Sequence, residues 1–219
     1  VAKQYRVIRR DALGHPKTID SLLDEIIDTL DQLKIEKVHF LGESTGGIFG
    51  EFLAARNPER LHSLTICASP LYLPKSAQDM LAVGYATPEK AISALGVPGW
   101  GKAVVPVLKT DQGAPPGFMD WWIGQFEIPT VEGICAYTEI ICREDFNSGR
   151  IMHKIHVPML LLTPAHSVLV DIEDQKRLAR TVEGAQLEII KGHGHEVYLD
   201  QAETCQEKFL GFLGGLNRK

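Results

Sequence analysis

Apolar positions along this chain fall into two spacings. Residues 37–41, 64–68, 157–163 and 187–190 form short, mainly apolar runs of the kind found in buried strands, and residues 5–10 are β-rich and read as a further strand. Between them the period lengthens. Residues 19–33 place Leu22, Leu23, Ile26, Ile27, Leu30 and Leu33 at helical spacing, with Asp20 or Ser21 near the start. Residues 45–56 read as a helix with small and apolar faces, ended by Asn57-Pro58. Residues 173–182 and about 201–213 read as two further helices.

Strands alternating with helices predict an α/β fold with a mostly parallel sheet flanked by helices. Residues 71–145 break the rhythm. They carry Pro74, Pro88, Pro98, Pro106, Pro115, Pro116 and Pro129 between helical stretches, together with Trp100, Trp121 and Trp122. That segment is expected to be an inserted helical lid, with residues 1–70 and 146–219 forming the core.

Composition narrows the function classes. A chain of 219 residues, 44% hydrophobic and 23% charged, can bury one sizeable core. A net charge of −5 without a basic cluster offers no footprint for nucleic acid or an anionic membrane. Cys67, Cys135, Cys142 and Cys205 are too dispersed for a disulfide framework and lack metal-ligand spacing, so free thiols and a cytoplasmic location are expected. No apolar run is expected to reach transmembrane length, and no signal peptide is visible. No dinucleotide fingerprint or phosphate loop is present, and His39, His62, His153, His156 and His166 are scattered. Neither cofactor nor metal is therefore expected, and the expected partner is a small-molecule substrate. Oligomeric state, a dimer included, is left open.

The candidate chemistry lies at Gly42-Glu43-Ser44-Thr45-Gly46. The apolar run 37–41 leads straight into it and an apolar-faced helix follows. A serine on such a strand-to-helix turn sits in a strained backbone, which demands small neighbours two residues away; Gly42 and Gly46 meet that demand. The helix after Ser44 aims free N–H groups at the reaction centre, making Ser44 a candidate nucleophile and the Thr45 N–H a candidate oxyanion donor. A base belongs after the last strand, where Gly192-His193-Gly194-His195 follows residues 187–190. Either histidine fits by position.

These residues resemble the α/β-hydrolase superfamily over nearly the whole chain, and particularly its enol-lactonase and esterase-like branch. The matching stretches are Arg-Arg-Asp-Ala-Leu-Gly-His at residues 9–15, the run around Ser44, residues 57–70 after it, residues 157–167 and residues 187–199. The resemblance implies a Gly-x-Gly-His pattern that places the catalytic histidine at His195.

Two departures stand out. The slot where the family carries its acid holds Ser167, and an alternative slot after the strand before the lid holds Ser69. Asp171 is the nearest candidate acid, with Asp174, Glu144 and Asp145 as substitutes; Asp174 is expected to cap or start the following helix. The resemblance also makes residues 5–10 the family's fourth strand and leaves no residues here for strands one to three. A missing internal strand would leave core backbone groups unpaired. The chain is therefore expected to be a fragment of a longer polypeptide, or another segment is expected to fill the gap.

The leading expectation is hydrolysis of an ester or lactone of a small apolar or aromatic substrate through Ser44 and His195, with Trp100, Trp121 and Trp122 contacting it. A non-hydrolytic reaction on the same scaffold (carbon–carbon cleavage, isomerisation or cyclisation) is favoured by the missing acid. A catalytically silent ligand-binding member is the remaining alternative.

Overall fold

The computed structural model describes residues 1–9, 18–109, 111 and 113–216. Helix α1 (Ile19–Gln32) begins at a capping box: Thr18 Oγ1 accepts the Ser21 N–H at 3.0 Å, and Ser21 Oγ accepts the Thr18 N–H at 3.1 Å. The cap is Thr18, with Asp20 and Ser21 in the first turn as expected. Strand β1 (Val38–Glu43), helix α2 (Thr45–Arg56) and strand β2 (Leu61–Cys67) follow. Four helices separate β2 from the next strand: α3 (Lys75–Ala82), α4 (Pro88–Leu108), α5 (Phe118–Gln125) and α6 (Val131–Ile141). The chain then runs through β3 (Met159–Pro164), α7 (Ile172–Thr181), β4 (Gln186–Ile190), α8 (Val197–Asp200) and α9 (Ala202–Leu216).

The four strands pair in parallel, in the order β1-β2-β3-β4. Every residue of β3 is buried, and its side chains alternate between two clusters. Met159 and Leu161 join Ile48 and Leu53 of α2 and Leu178 of α7; Leu160 and Leu162 join Phe209, Phe212 and Leu213 of α9. Helices therefore cover both faces of the strand, and each large apolar side chain so buried contributes about 1.5–3 kcal/mol. Helix α2 lies so close to the sheet that a Cβ on Gly50 would meet Leu64 Cδ1 at 2.7 Å and Phe40 Cε1 at 2.8 Å. Leu71, Leu73, Ala77, Leu81, Val104, Ile140 and Ile141, from the segment between β2 and β3, share the larger cluster with the sheet.

Two expectations need correction. Residues 5–9 form no strand: residues 1–5 close into a turn in which the Gln4 and Tyr5 N–H groups donate to the Val1 carbonyl. Tyr5 packs against the α9 cluster while Val7 is exposed, and β-rich composition without a ladder partner does not make a strand. Arg10, Gly14 and His15 lie outside the described residues. Among the described residues β1 pairs only with β2. Second, α4 is by length and composition apolar enough to cross a membrane. It is broken at Gly96, which takes φ 67 and ψ 164, and it packs against α3 and α6.

One buried charge site stands out in α2. Glu51 is 0% exposed, and neither carboxylate oxygen has a hydrogen-bond partner. Burial pushes its carboxyl up to about 8, and the Ser148 hydroxyl, which could offset the rise, donates to the Leu71 carbonyl. Between about pH 4.5 and 8 the folded protein therefore holds a proton that the unfolded chain releases, so stability is complete below that window and falls as the pH rises through it. We expect Glu51→Gln to flatten this decline, so that the two proteins are closest in stability at pH 5 and the variant is the more stable at pH 8.5. Denaturant unfolding at pH 5 and pH 8.5 measures it; equal pH slopes for the two proteins would contradict the assignment.

Candidate active site

The parallel arrangement brings the loops after all four strands to one edge of the sheet. Ser44 occupies the turn from β1 to α2 with φ 50 and ψ −125, a region that disfavours any residue with a Cβ. The turn is held by the Ser44 N–H donating to the Cys67 carbonyl and the Gly47 N–H donating to the Ser44 carbonyl, both at 3.0 Å. A Cβ on Gly42 would run into the Gly46 carbonyl and the Gly47 nitrogen. Gly46, expected to be needed for the same reason, has open space around its Cα. The second sterically required glycine is Gly47, whose Cβ would collide with the Ser69 side chain.

The loop between β4 and α8 carries both candidate histidines, and they separate cleanly. His195 is buried, and its Nε2 lies 3.0 Å from Ser44 Oγ. His193 faces outward, with both its backbone N–H and its Nδ1 engaged by Asp200 Oδ2, at 2.7 and 2.6 Å. Behind the His195 ring, Nδ1 meets Ser167 Oγ at 3.1 Å. Burial alone drives the His195 imidazole down to about 4, since charging it in this setting brings no compensating carboxylate. The carboxyl closest to the ring in the described contacts is Glu43, whose Oε1 stands 3.8 Å from Nε2. Loss of solvent, with the Glu196 carboxylate adding to it, pushes the Glu43 carboxyl up from its ordinary value, an effect tempered by the 37% of its side chain that remains exposed.

Asp171, the candidate acid, is engaged elsewhere: it is the N-cap of α7, its side chain accepting the Glu173 N–H at 2.7 Å. A short polar side chain immediately before a helix meets a ready N–H donor, and Asp171 makes that local bond; the described contacts include none between Asp171 and His195. Asp174, expected to cap or start α7, lies in its first turn and pairs with Arg177 at 2.9 Å. Asp145 pairs with Arg143, and Glu144 is exposed. Ser69 donates to the Pro70 carbonyl.

Thr45 opens α2, so its N–H has no acceptor within the helix and remains available to a developing oxyanion. Its hydroxyl is held by Tyr137 OH of α6 at 2.6 Å. Tyr137 escaped the sequence reading because a tyrosine on the apolar face of a helix looks like core. Nothing local announces a partner 92 residues away.

The tryptophans pack within the helical segment. Trp100 Nε1 donates to the Leu81 carbonyl at 2.8 Å, Trp122 lies against Phe126 with ring centroids 4.5 Å apart, and Trp121 is exposed beside Phe118. None of them lines the cavity bordered by His195 or the cavity on the other side of Ser167. The first, about 230 Å³, is bounded by Leu108, Lys109, His166, Ser167, Val168 and the His193–His195 loop. The second, about 320 Å³, extends from Ser167 to Pro70 and Tyr72. Among the described residues no group of three or more His, Cys, Asp and Glu side chains could hold a metal ion.

With this geometry in place, comparison with known proteins is informative. A family model described as alpha/beta hydrolase fold matches residues 2–202. The chain is 37% identical over 73 residues to 3-oxoadipate enol-lactonase 1 of Acinetobacter baylyi, a match covering 30% of this chain and 27% of that protein. It is 25% identical over 222 residues to the RutD protein of Caulobacter sp. strain K31, whose name gives carbamate hydrolysis as a provisional activity; that match covers 93% of this chain and 75% of the relative. The enol-lactonase structure from Burkholderia xenovorans LB400 superposes with a TM-score of 0.73 at 22% identity, over 93% of this chain and 78% of that one, a likeness of fold.

The contacts around Gly42 yield a test. The Gly46 carbonyl and Gly47 nitrogen are backbone and cannot swing aside, so Gly42→Ala should lower stability by about 3 kcal/mol and displace Ser44. Gly46→Ala should be tolerated within about 1 kcal/mol. Thermal or denaturant unfolding of the two variants compares them directly, and equal losses would refute this reading of the turn.

Proposed function

The chain belongs to the α/β-hydrolase fold family, and from that premise we propose that it hydrolyses an ester or lactone of a small, mainly apolar substrate, with Ser44 as nucleophile and His195 as its base. The observation that carries this reading is the 3.0 Å contact between Ser44 Oγ and His195 Nε2, made by residues 151 apart in sequence at a turn strained enough to expose the serine. Relatives named for lactone hydrolysis support it.

In this scheme Ser44 Oγ attacks the carbonyl carbon while its proton passes to His195 Nε2. The Thr45 N–H donates to the oxyanion. The carbon–oxygen bond breaks, the leaving alkoxide takes the proton from Nε2, and the acyl group remains on Ser44. Water then repeats the sequence, releasing the acid and restoring Ser44. We read residues 71–145 as a lid over this site, with residues 1–70 and 146–219 as the core. The cavity of about 230 Å³ beside His195, apolar at Leu108 and Val168 and polar at Lys109 and His166, suits a small molecule. The four unpaired cysteines accord with a cytoplasmic setting.

A second reading keeps the pair but not the hydrolysis. Ser167, a neutral hydroxyl, occupies the place behind the ring where a carboxylate would stabilise an imidazolium. That lack weakens acyl transfer more than simple proton transfer, and so favours isomerisation or carbon–carbon cleavage. Incorporation of solvent ¹⁸O into a released acid separates the two.

Ser44→Ala should reduce turnover of short acyl esters and small lactones by at least about 10³-fold while leaving the unfolding free energy within about 1 kcal/mol of the parent. Undiminished turnover would remove Ser44 from the reaction. The pH profile supplies a separate test. A histidine must be neutral to act as base, and burial holds His195 down to about 4. The acidic limb of kcat/KM should therefore fall with a midpoint near 4, well below the ordinary histidine range, provided far-UV circular dichroism shows the protein folded there. A midpoint near 6.5 would contradict the burial of the working base.

A further inference from the structure

We propose that Ser167 is a positioning residue that sets the proton on His195, donating its hydroxyl to Nδ1 and so holding the ring's own proton on Nε2, facing Ser44. The inference rests on the catalytic pair proposed above and follows from counting hydrogen bonds at one oxygen. A serine hydroxyl has one proton and two lone pairs. Ser167 Oγ accepts the backbone N–H groups of both Leu169 and Val170, each at 3.1 Å. Those two bonds occupy both lone pairs. The remaining contact, to His195 Nδ1 at 3.1 Å, can then only be made by the hydroxyl proton. If Nδ1 carried a proton instead, three N–H donors would converge on one oxygen, and the Ser167 proton would have no acceptor among the described contacts.

The consequence reaches Ser44. A neutral imidazole that accepts at Nδ1 carries its proton on Nε2, so the 3.0 Å contact to Ser44 Oγ is donated by the histidine and accepted by the serine. A base needs the opposite arrangement, with a bare Nε2 facing the serine proton. Hydrolysis therefore runs through the minor tautomer, reached when the Ser167 hydroxyl turns away from the ring. The cavity that Ser167 borders leaves room for that turn. A carboxylate at 167 would reverse the preference without disturbing the loop. Its two oxygens could accept the Leu169 and Val170 N–H groups and still take a proton from Nδ1, because a carboxylate accepts at about four positions and donates at none. Ser167 thus acts as a brake on the pair.

The test begins with the protein as it stands. Long-range ¹H–¹⁵N spectra of histidine-labelled wild type at pH 7 read each ring nitrogen directly, with His195 assigned by its loss in His195→Gln. We expect a bare Nδ1 and a protonated Nε2; the reverse pattern overturns the proposal whatever the activity. Ser167→Asp should reverse the tautomer and raise kcat by about 10²–10⁴-fold with little change in KM, the range set by what a wrongly placed ring proton costs a serine–histidine site. Ser167→Thr keeps the hydroxyl and should keep the wild-type tautomer. An unchanged tautomer in Ser167→Asp, or a reversed one in Ser167→Thr, would defeat the assignment. If the spectra match expectation yet neither wild type nor Ser167→Asp shows Ser44-dependent turnover, the hydrolytic reading fails and the tautomer assignment stands.

Discussion

All the chemistry described above depends on four strands running the same way. Because β1 through β4 are parallel, the loop after each opens at one edge, and residues far apart in sequence meet there. Ser44 comes from the first loop, Ser69 from the second, Ser167 from the third and His195 from the fourth. The middle two loops sit between the serine and the histidine that must touch. Hence the close fit of Gly47 against Ser69 bears on the site as well as on the core: a wider α2–β2 spacing would move the elbow away from the ring.

Burial then shapes what the edge can do. His195 is 2% exposed and, among the described contacts, meets no carboxyl closer than Glu43 at 3.8 Å, whose own titration is pushed upward. A dry site strengthens each hydrogen bond it contains and penalises each charge it must form. Ser44, His195 and Ser167 form a line of neutral groups whose proton positions, rather than charges, decide the outcome. Among the described contacts, Glu43 is the carboxyl that could bring a charge to the ring, at 3.8 Å from Nε2.

Much of this was legible in the sequence. The alternation of apolar runs and helical periods located the four strands and α1, α2, α7 and α9 to within a few residues, because each buries a face whose spacing is written locally. Ser44 was legible for the same reason, since Gly42 and the flanking patterns are neighbours of the residue they constrain. His195 could be told from His193 only through the resemblance, because what separates them is Asp200 engaging one and Ser44 facing the other across the fold. Asp171 was misread: proximity to the acid slot outweighed its place directly before Ile172-Glu173-Asp174, where an aspartate is a natural cap. Tyr137 and the inward packing of Trp100 and Trp122 depend on which helices meet, and no local pattern records that. Residues 5–9 had strand composition, but a strand exists only where another lies beside it.

The backbone at Ser44 sets the fold and the proposed chemistry against each other. A residue with a Cβ at φ 50 and ψ −125 costs on the order of 1–3 kcal/mol that glycine would largely avoid. Glycine at this one position would relax the turn and delete the hydroxyl in the same step, so the most stable version of the elbow is one that could not attack a carbonyl.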